Sequence, residues 1–161
     1  MSNKHGHFLT NGVHLHHIGG TRAKAVLMAP VIFVDKHNRR HTAHPGLITD
    51  GRSFGLFYYL IGTPYDGRHL EACIIHDWYC AKAAMLTGDA RRVVRGKADI
   101  LFGECLESLD VPTWKQKRMV KAVQRHARAV QNKPASHWKR NFVSEAASHL
   151  GADNPWKVSY G

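Results

Sequence analysis

An α+β fold is expected, with an N-terminal β-hairpin or small antiparallel sheet packed on three main α-helices and followed by a packed C-terminal tail. Three observations predict it. A β-branched apolar run lies between turn signals early in the chain, and three later runs repeat their apolar residues at spacings of three and four. The composition, 43% hydrophobic and 22% charged over 161 residues, suits a chain that closes around one core.

The elements follow in order. Residues 1–22 carry His5, His7, His14, His16 and His17 without helical periodicity and read as a His-rich arm. Residues 23–131 form the expected core domain. Ala23 to Asp35 is apolar and β-branched near its end, Lys36 to Arg40 is turn-like, and His41 to Ile48 can return, which makes a hairpin; Pro30 marks an edge or a bulge. Pro45-Gly46 leads into Thr49-Asp50-Gly51-Arg52-Ser53, after which an aromatic run from Phe54 to Ile61 reads as a buried segment, and Gly62 to Gly67 as a turn cluster.

From about His69 to Leu86 the spacing of Leu70, Cys73, Ile74, Asp77, Trp78, Ala81 and Met85 predicts a helix. Gly88 is the expected left-handed residue at its end, and Asp89 the expected cap of a second helix that presents Asp99, Phe102, Leu106 and Leu109 and runs to about Leu109. Asp110-Val111-Pro112 opens a third helix to about Gln131. Its stripe of Met119, Val120, Val123, Ala127 and Val130 opposes the basic residues Arg118, Lys121, Arg125 and Arg128. Residues 132–161 are expected to pack back on the core, because they carry Trp138 and Trp156.

Charge and cysteine content narrow the function classes. Lys and Arg number 23 against 12 Asp and Glu, a formal charge of +11, which favours a polyanionic partner. Three cysteines, Cys73, Cys80 and Cys105, cannot all pair, so reduced thiols are expected and a disulfide scaffold is not. No apolar run reaches the roughly 20 residues of a membrane-spanning helix, and Met1 to His7 is no export signal.

The sharpest chemical signal is His76-Asp77 within CIIHDWYC. Two helices joined by a short turn lie antiparallel, so Asp99 on the second can meet His76 on the first and orient its ring for base catalysis or for a divalent metal, with Asp50 as a third group. The candidate catalytic residues are therefore His76, Asp99, Asp50 and Asp77, with His76 and Asp50 as the candidate metal ligands. Ser53, Arg52 and Tyr79 are the candidate substrate-binding residues. The plain alternative makes His76 a satisfied core histidine, Asp99 a buried structural carboxylate and Asp50 an Asx-turn residue. Cys73, His76 and Cys80 follow one another at helical spacing, but one helix rarely supplies three ligands to a tetrahedral ion, so buried free thiols are expected instead of zinc or a cysteine nucleophile.

Four segments carry a family resemblance: Pro45 to Ser53 (PGLITDGRS), His76-Asp77-Trp78-Tyr79, Ala98-Asp99-Ile100-Leu101-Phe102 and Leu109-Asp110-Val111-Pro112. Over about residues 24 to 130 the chain resembles a family common in phages and prophages, domain of unknown function 1353. The resemblance implies that Asp50, Ser53, His76, Asp77 and Asp99 occupy signature positions, and it implies a phage context without an established reaction. The chain departs from the pattern at Arg52, where the family has a small residue, and after Ser53, where it lacks the usual Pro-Arg. A fainter likeness of layout links it to secreted phospholipases A2, which also place His-Asp on one helix and a supporting Asp on its antiparallel neighbour.

The leading expectation is a phage-encoded hydrolase-like protein with a His/Asp centre that acts on the bacterial envelope, with peptidoglycan as the expected substrate. The alternative is a non-enzymatic virion component, a tail or tail-tip protein, in which the same cluster is structural. Partners would be an envelope polymer or other virion proteins, with nucleic acid ranked below them. Its place would be the phage particle or the host cytoplasm.

Overall fold

The computed structural model describes residues 5–18, 24–50 and 69–130, with the backbone alone for Ile18, Lys24, Asp50 and Val130. Six strands come first: β1 (His7–Phe8), β2 (Leu15–Ile18), β3 (Lys24–Leu27), β4 (Val31–Val34), β5 (Arg40–Ala43) and β6 (Ile48–Asp50). Three helices follow: α1 (Leu70–Ala84), α2 (Gly88–Ser108) and α3 (Thr113–Val130). The strands form two three-stranded antiparallel sheets, ordered β1-β4-β5 and β2-β3-β6. The α+β class is as expected.

Two strand expectations need correction. Ala23 to Asp35 is not one strand: the chain leaves one sheet at Leu27 and enters the other at Val31. Pro30 lacks an N–H, so a ladder cannot run through it, and Met28 N–H instead donates to the His14 carbonyl at 2.8 Å. Leu27 also exchanges backbone bonds with Gly46 and Leu47, each 2.8 Å, which fastens β3 to the approach of β6. Nor is the described part of the N-terminal stretch a loose arm, since His7 pairs with Val34 and His16 with Val26. Strands of two and four residues carry too little local signal to be seen before their partners are known.

The β4–β5 hairpin is where it was expected. Val31 and Phe33 alternate inward, and the Asp35 carboxylate organises the turn by accepting from the N–H groups of His37 (2.9 Å) and Arg39 (2.8 Å). Asn38 supplies the left-handed residue, with φ 61°.

Helix α1 is buried on every side, from Ala72 through Trp78 without interruption, so it must lie in the middle of the domain. It packs on α2 and on β4 and β5. One apolar cluster joins Val26, Leu27 and Ile48 of one sheet, Val31 and Phe33 of the other, Ile74 and Ile75 of α1, Phe102 and Leu106 of α2, and Met119 and Val123 of α3. Gly88 is left-handed as expected (φ 56°), but α2 begins at that residue with Thr87 at the cap position. Asp89 therefore sits in the first turn, 3.5 Å from Arg92, and caps nothing. On α3 the two faces divide as expected, with Met119 and Val123 buried and Arg118, Lys121, Arg125 and Arg128 exposed. The aromatic run 54–61, Arg52, Ser53 and the extension 132–161 lie outside the described residues. Among the described residues no helix is long and apolar enough to cross a membrane.

Candidate functional site

The antiparallel α1–α2 pair brings His76 and Asp99 together. His76 Nε2–H donates to Asp99 Oδ1 at 2.8 Å, and Phe102, one turn beyond Asp99, lays its ring against the imidazole with centroids 5.0 Å apart. On the other side of the ring Nδ1 faces Asp77 Oδ1 at 3.8 Å. The Cys80 sulfur stands 3.6 Å from Nδ1 and 3.7 Å from Nε2, within sulfur hydrogen-bond range of both. Asp77 is held in turn from the sheet, because the Thr49 hydroxyl of β6 donates to its Oδ2 at 2.9 Å. Arg95, one turn before Asp99, adds positive charge 3.9 Å from Oδ1, beyond hydrogen-bond length.

Burial and charge decide the state of this cluster. His76, Asp77 and Asp99 are 3%, 4% and 5% exposed. Burial disfavours the imidazolium, yet attraction to the Cys80 sulfur and the contacts with Asp77 and Asp99 outweigh it, so the His76 pKa rises well above its ordinary value of 6.5. The protonated form of His76 is thus favoured by its place between Asp77 and Asp99.

The sequence-predicted site residues divide into three groups. His76, Asp77 and Asp99 meet as expected. Asp50 ends β6 directly after Thr49, its side chain lying outside the described residues with Arg52 and Ser53. Tyr79 joins a different cluster. Its hydroxyl bonds His41 Nδ1 at 2.7 Å, while His41 Nε2–H donates to Asp35 Oδ2 at 3.1 Å, and Arg39 Nε–H donates to the same oxygen at 2.7 Å. Burial pushes the Tyr79 pKa up, which keeps the phenol protonated and able to donate. Burial would also raise Asp35, but the backbone N–H of Arg39, His41 and the Arg39 side chain outweigh it and hold the carboxyl far below the usual aspartate range.

Asp35, Arg39, His41, Thr49 and Arg95 were not singled out from the sequence. The turn around Asn38 was legible, and an Asp at its start with an Arg and a His at its end is the pattern that could have exposed the Asp35 cluster.

The expected metal ligands are His76 and Asp50. His76 Nε2 is engaged by Asp99 at 2.8 Å and Nδ1 faces Asp77 at 3.8 Å, while the side chain of Asp50, the other expected ligand, lies outside the described residues. Among the described residues no group of three or more His, Cys, Asp or Glu side chains is arranged to hold a metal ion. All three cysteines are free, and burial raises the Cys73 and Cys105 thiols well above their ordinary pKa, which makes them inert fillers of the core.

The architecture defines a small α+β domain with a buried His–Asp pair across two helices. By its match over residues 25–123 the chain belongs to the family described as protein of unknown function (DUF1353). It is 30% identical over 92 residues to the uncharacterized protein y4jT of Sinorhizobium fredii, a stretch covering 56% of this chain and 25% of that protein. It is 29% identical over 94 residues to the uncharacterized protein y4iH of the same organism, covering 58% and 39%. The chain thus spans well under half the length of these relatives. No solved structure matches it.

Proposed function

We propose that this chain is a non-enzymatic virion component in which the His76 cluster is a structural pin, fastening β6 and α2 to the central helix α1. One observation carries the structural reading: His76 is 3% exposed, with Nε2 bonded to Asp99 at 2.8 Å and Nδ1 turned toward Asp77 at 3.8 Å, so its ring lies among protein groups. A general base needs a neutral ring with one nitrogen turned toward the reacting proton. The phage particle as its place follows from the resemblance of its motifs to a family common in phages, and the charge of +11 provides for docking on an acidic neighbour or on DNA.

A second reading, the hydrolase acting on peptidoglycan, is favoured by the 2.8 Å His76–Asp99 bond, the orientation that a catalytic dyad requires. In it Nδ1 is the working atom and Asp99 fixes the ring, and Asp77 must give way for a water to reach Nδ1.

His76→Ala separates the two. The pin predicts a loss of about 3–5 kcal/mol, because two buried carboxylates lose their cation, and no release of fragments from purified sacculi by the wild-type chain. A folded His76→Ala protein with an unchanged melting temperature, alongside sacculus turnover by the wild type alone, establishes the hydrolase and ends the structural reading. Co-purification of the chain with phage particles tests the virion assignment directly.

A further inference from the structure

Helix α3 is the most one-sidedly charged of the described elements. Its 18 residues include Lys115, Lys117, Arg118, Lys121, Arg125 and Arg128 and not one carboxylate. At about 100° per residue, Trp114, Lys117, Lys121, Arg125 and Arg128 fall within about 80° of one another. That stripe is exposed along its whole length, and Trp114 itself is 61% exposed, with the Arg118 guanidinium 5.5 Å above its ring. The four cations succeed one another by about a turn, roughly 4.5–6 Å at ~1.5 Å per residue, so they form a row.

We propose that this face of α3 binds single-stranded nucleic acid, the phosphates running along Lys117, Lys121, Arg125 and Arg128 and a base stacking on Trp114. The inference is independent of whether His76 is a pin or a catalyst. Three observations select this partner from among the polyanions. An anionic membrane would take up the apolar side of an amphipathic helix, but here Met119 is 0% and Val123 3% exposed, both spent on the core. An envelope polymer of phosphate and sugar gives the charge row a partner and can lay the C–H face of a sugar on the indole, but a base offers a flat π-face that matches both the indole and an arginine plane, and this favours the nucleic acid. The Gln124 amide, exposed one turn beyond Lys121, adds a neutral donor and acceptor beside the charge row, within reach of a sugar or base edge of a strand lying along it.

Fluorescence anisotropy of the full chain with a labelled 20-nucleotide single strand tests the proposal, between 50 and 300 mM NaCl. Wild-type binding should weaken steeply with salt. In the Lys117→Gln/Lys121→Gln/Arg125→Gln/Arg128→Gln variant the slope of log affinity against log salt should fall by about three, at roughly 0.7 for each lost phosphate contact. Trp114→Ala should lose about tenfold in affinity with the slope unchanged, because stacking releases no counterions. Lys36→Gln/Lys97→Gln, which removes exposed charge elsewhere, should alter binding far less, and circular dichroism should report all variants folded. No binding by the wild type at 50 mM NaCl overturns the proposal. So does a quadruple variant that binds like the wild type, or a Trp114→Ala variant that keeps full affinity while inorganic polyphosphate or vesicles of anionic phospholipid compete as well as unlabelled strand.

Discussion

Glycines at two positions do opposite things, and a single methyl group reveals the difference. Gly103 lies inside α2, where glycine costs about 1 kcal/mol relative to alanine, and a Cβ there would meet only Val120 Cγ2 at an ordinary 3.5 Å. Gly103→Ala should therefore stabilise the protein by about 0.5–1 kcal/mol in urea unfolding, and a loss would mean that the α2–α3 contact is tighter than this geometry. A Cβ on Gly6 would sit 2.7 Å from the Val34 carbonyl oxygen and against the Phe33 ring, neither of which can yield cheaply. Gly6→Ala should cost about 1–3 kcal/mol. Asp35 is the third case: its carboxylate takes two backbone N–H groups, Arg39 and His41, so Asp35→Ala leaves a hairpin turn and a ring nitrogen without acceptors. A loss of about 2–3 kcal/mol is expected, most of it retained in Asp35→Asn, which keeps the size but not the charge. Equal stability of Asp35→Asn and wild type would sink the assignment of Asp35 as an ionised anchor.

Helices were legible in the sequence and most strands were not, for a physical reason seen at the level of elements. A helix satisfies its own backbone, so the period of Leu70, Cys73, Ile74 and Trp78 suffices to locate α1, and the short link to α2 dictates the antiparallel pairing that joins His76 to Asp99. Strands β1 and β2 exist only through pairing with β4 and β3, and nothing local in a run of His and Gly announces it. The Tyr79–His41–Asp35 chain was invisible for the same cause, since it ties a helix to a hairpin 38 residues earlier in sequence. Thr49 likewise reaches Asp77 across 28 residues. Such ties predict how the elements come apart. Thr49→Val keeps the shape of the side chain and removes the hydroxyl that satisfies Asp77, so it should cost about 1–3 kcal/mol and loosen β6 from α1. Amide hydrogen exchange should quicken on β6 and its partner β3 before it quickens on α2. Uniform acceleration across all three elements would show that the bond is not a local tether.

For the whole molecule, pH and salt act on two opposed quantities. The native His76 pKa is raised, so its contribution to stability is complete below the unfolded value near 6.5 and is lost as pH rises through the native value. Asp35 works in the other direction: its native pKa is lowered, so its contribution is complete above the unfolded value near 3.8 and is lost as pH falls toward the native one. Between about 4 and 6.5 both are in force. The formal charge of +11 opposes folding by self-repulsion throughout this interval. Salt distinguishes the two effects, because repulsion between exposed charges is screened within a Debye length of about 3 Å at 1 M, whereas a buried pair is screened far less. In 1 M NaCl, where that repulsion is screened, the melting temperature should therefore be highest near pH 5–6 and decline as the pH rises. His76→Gln should abolish that decline in high salt while leaving the acid limb below pH 4 in place. A decline of the same slope in the variant would remove His76 as the buried cation that holds β6, α1 and α2 together, and with it the physical basis of the structural pin.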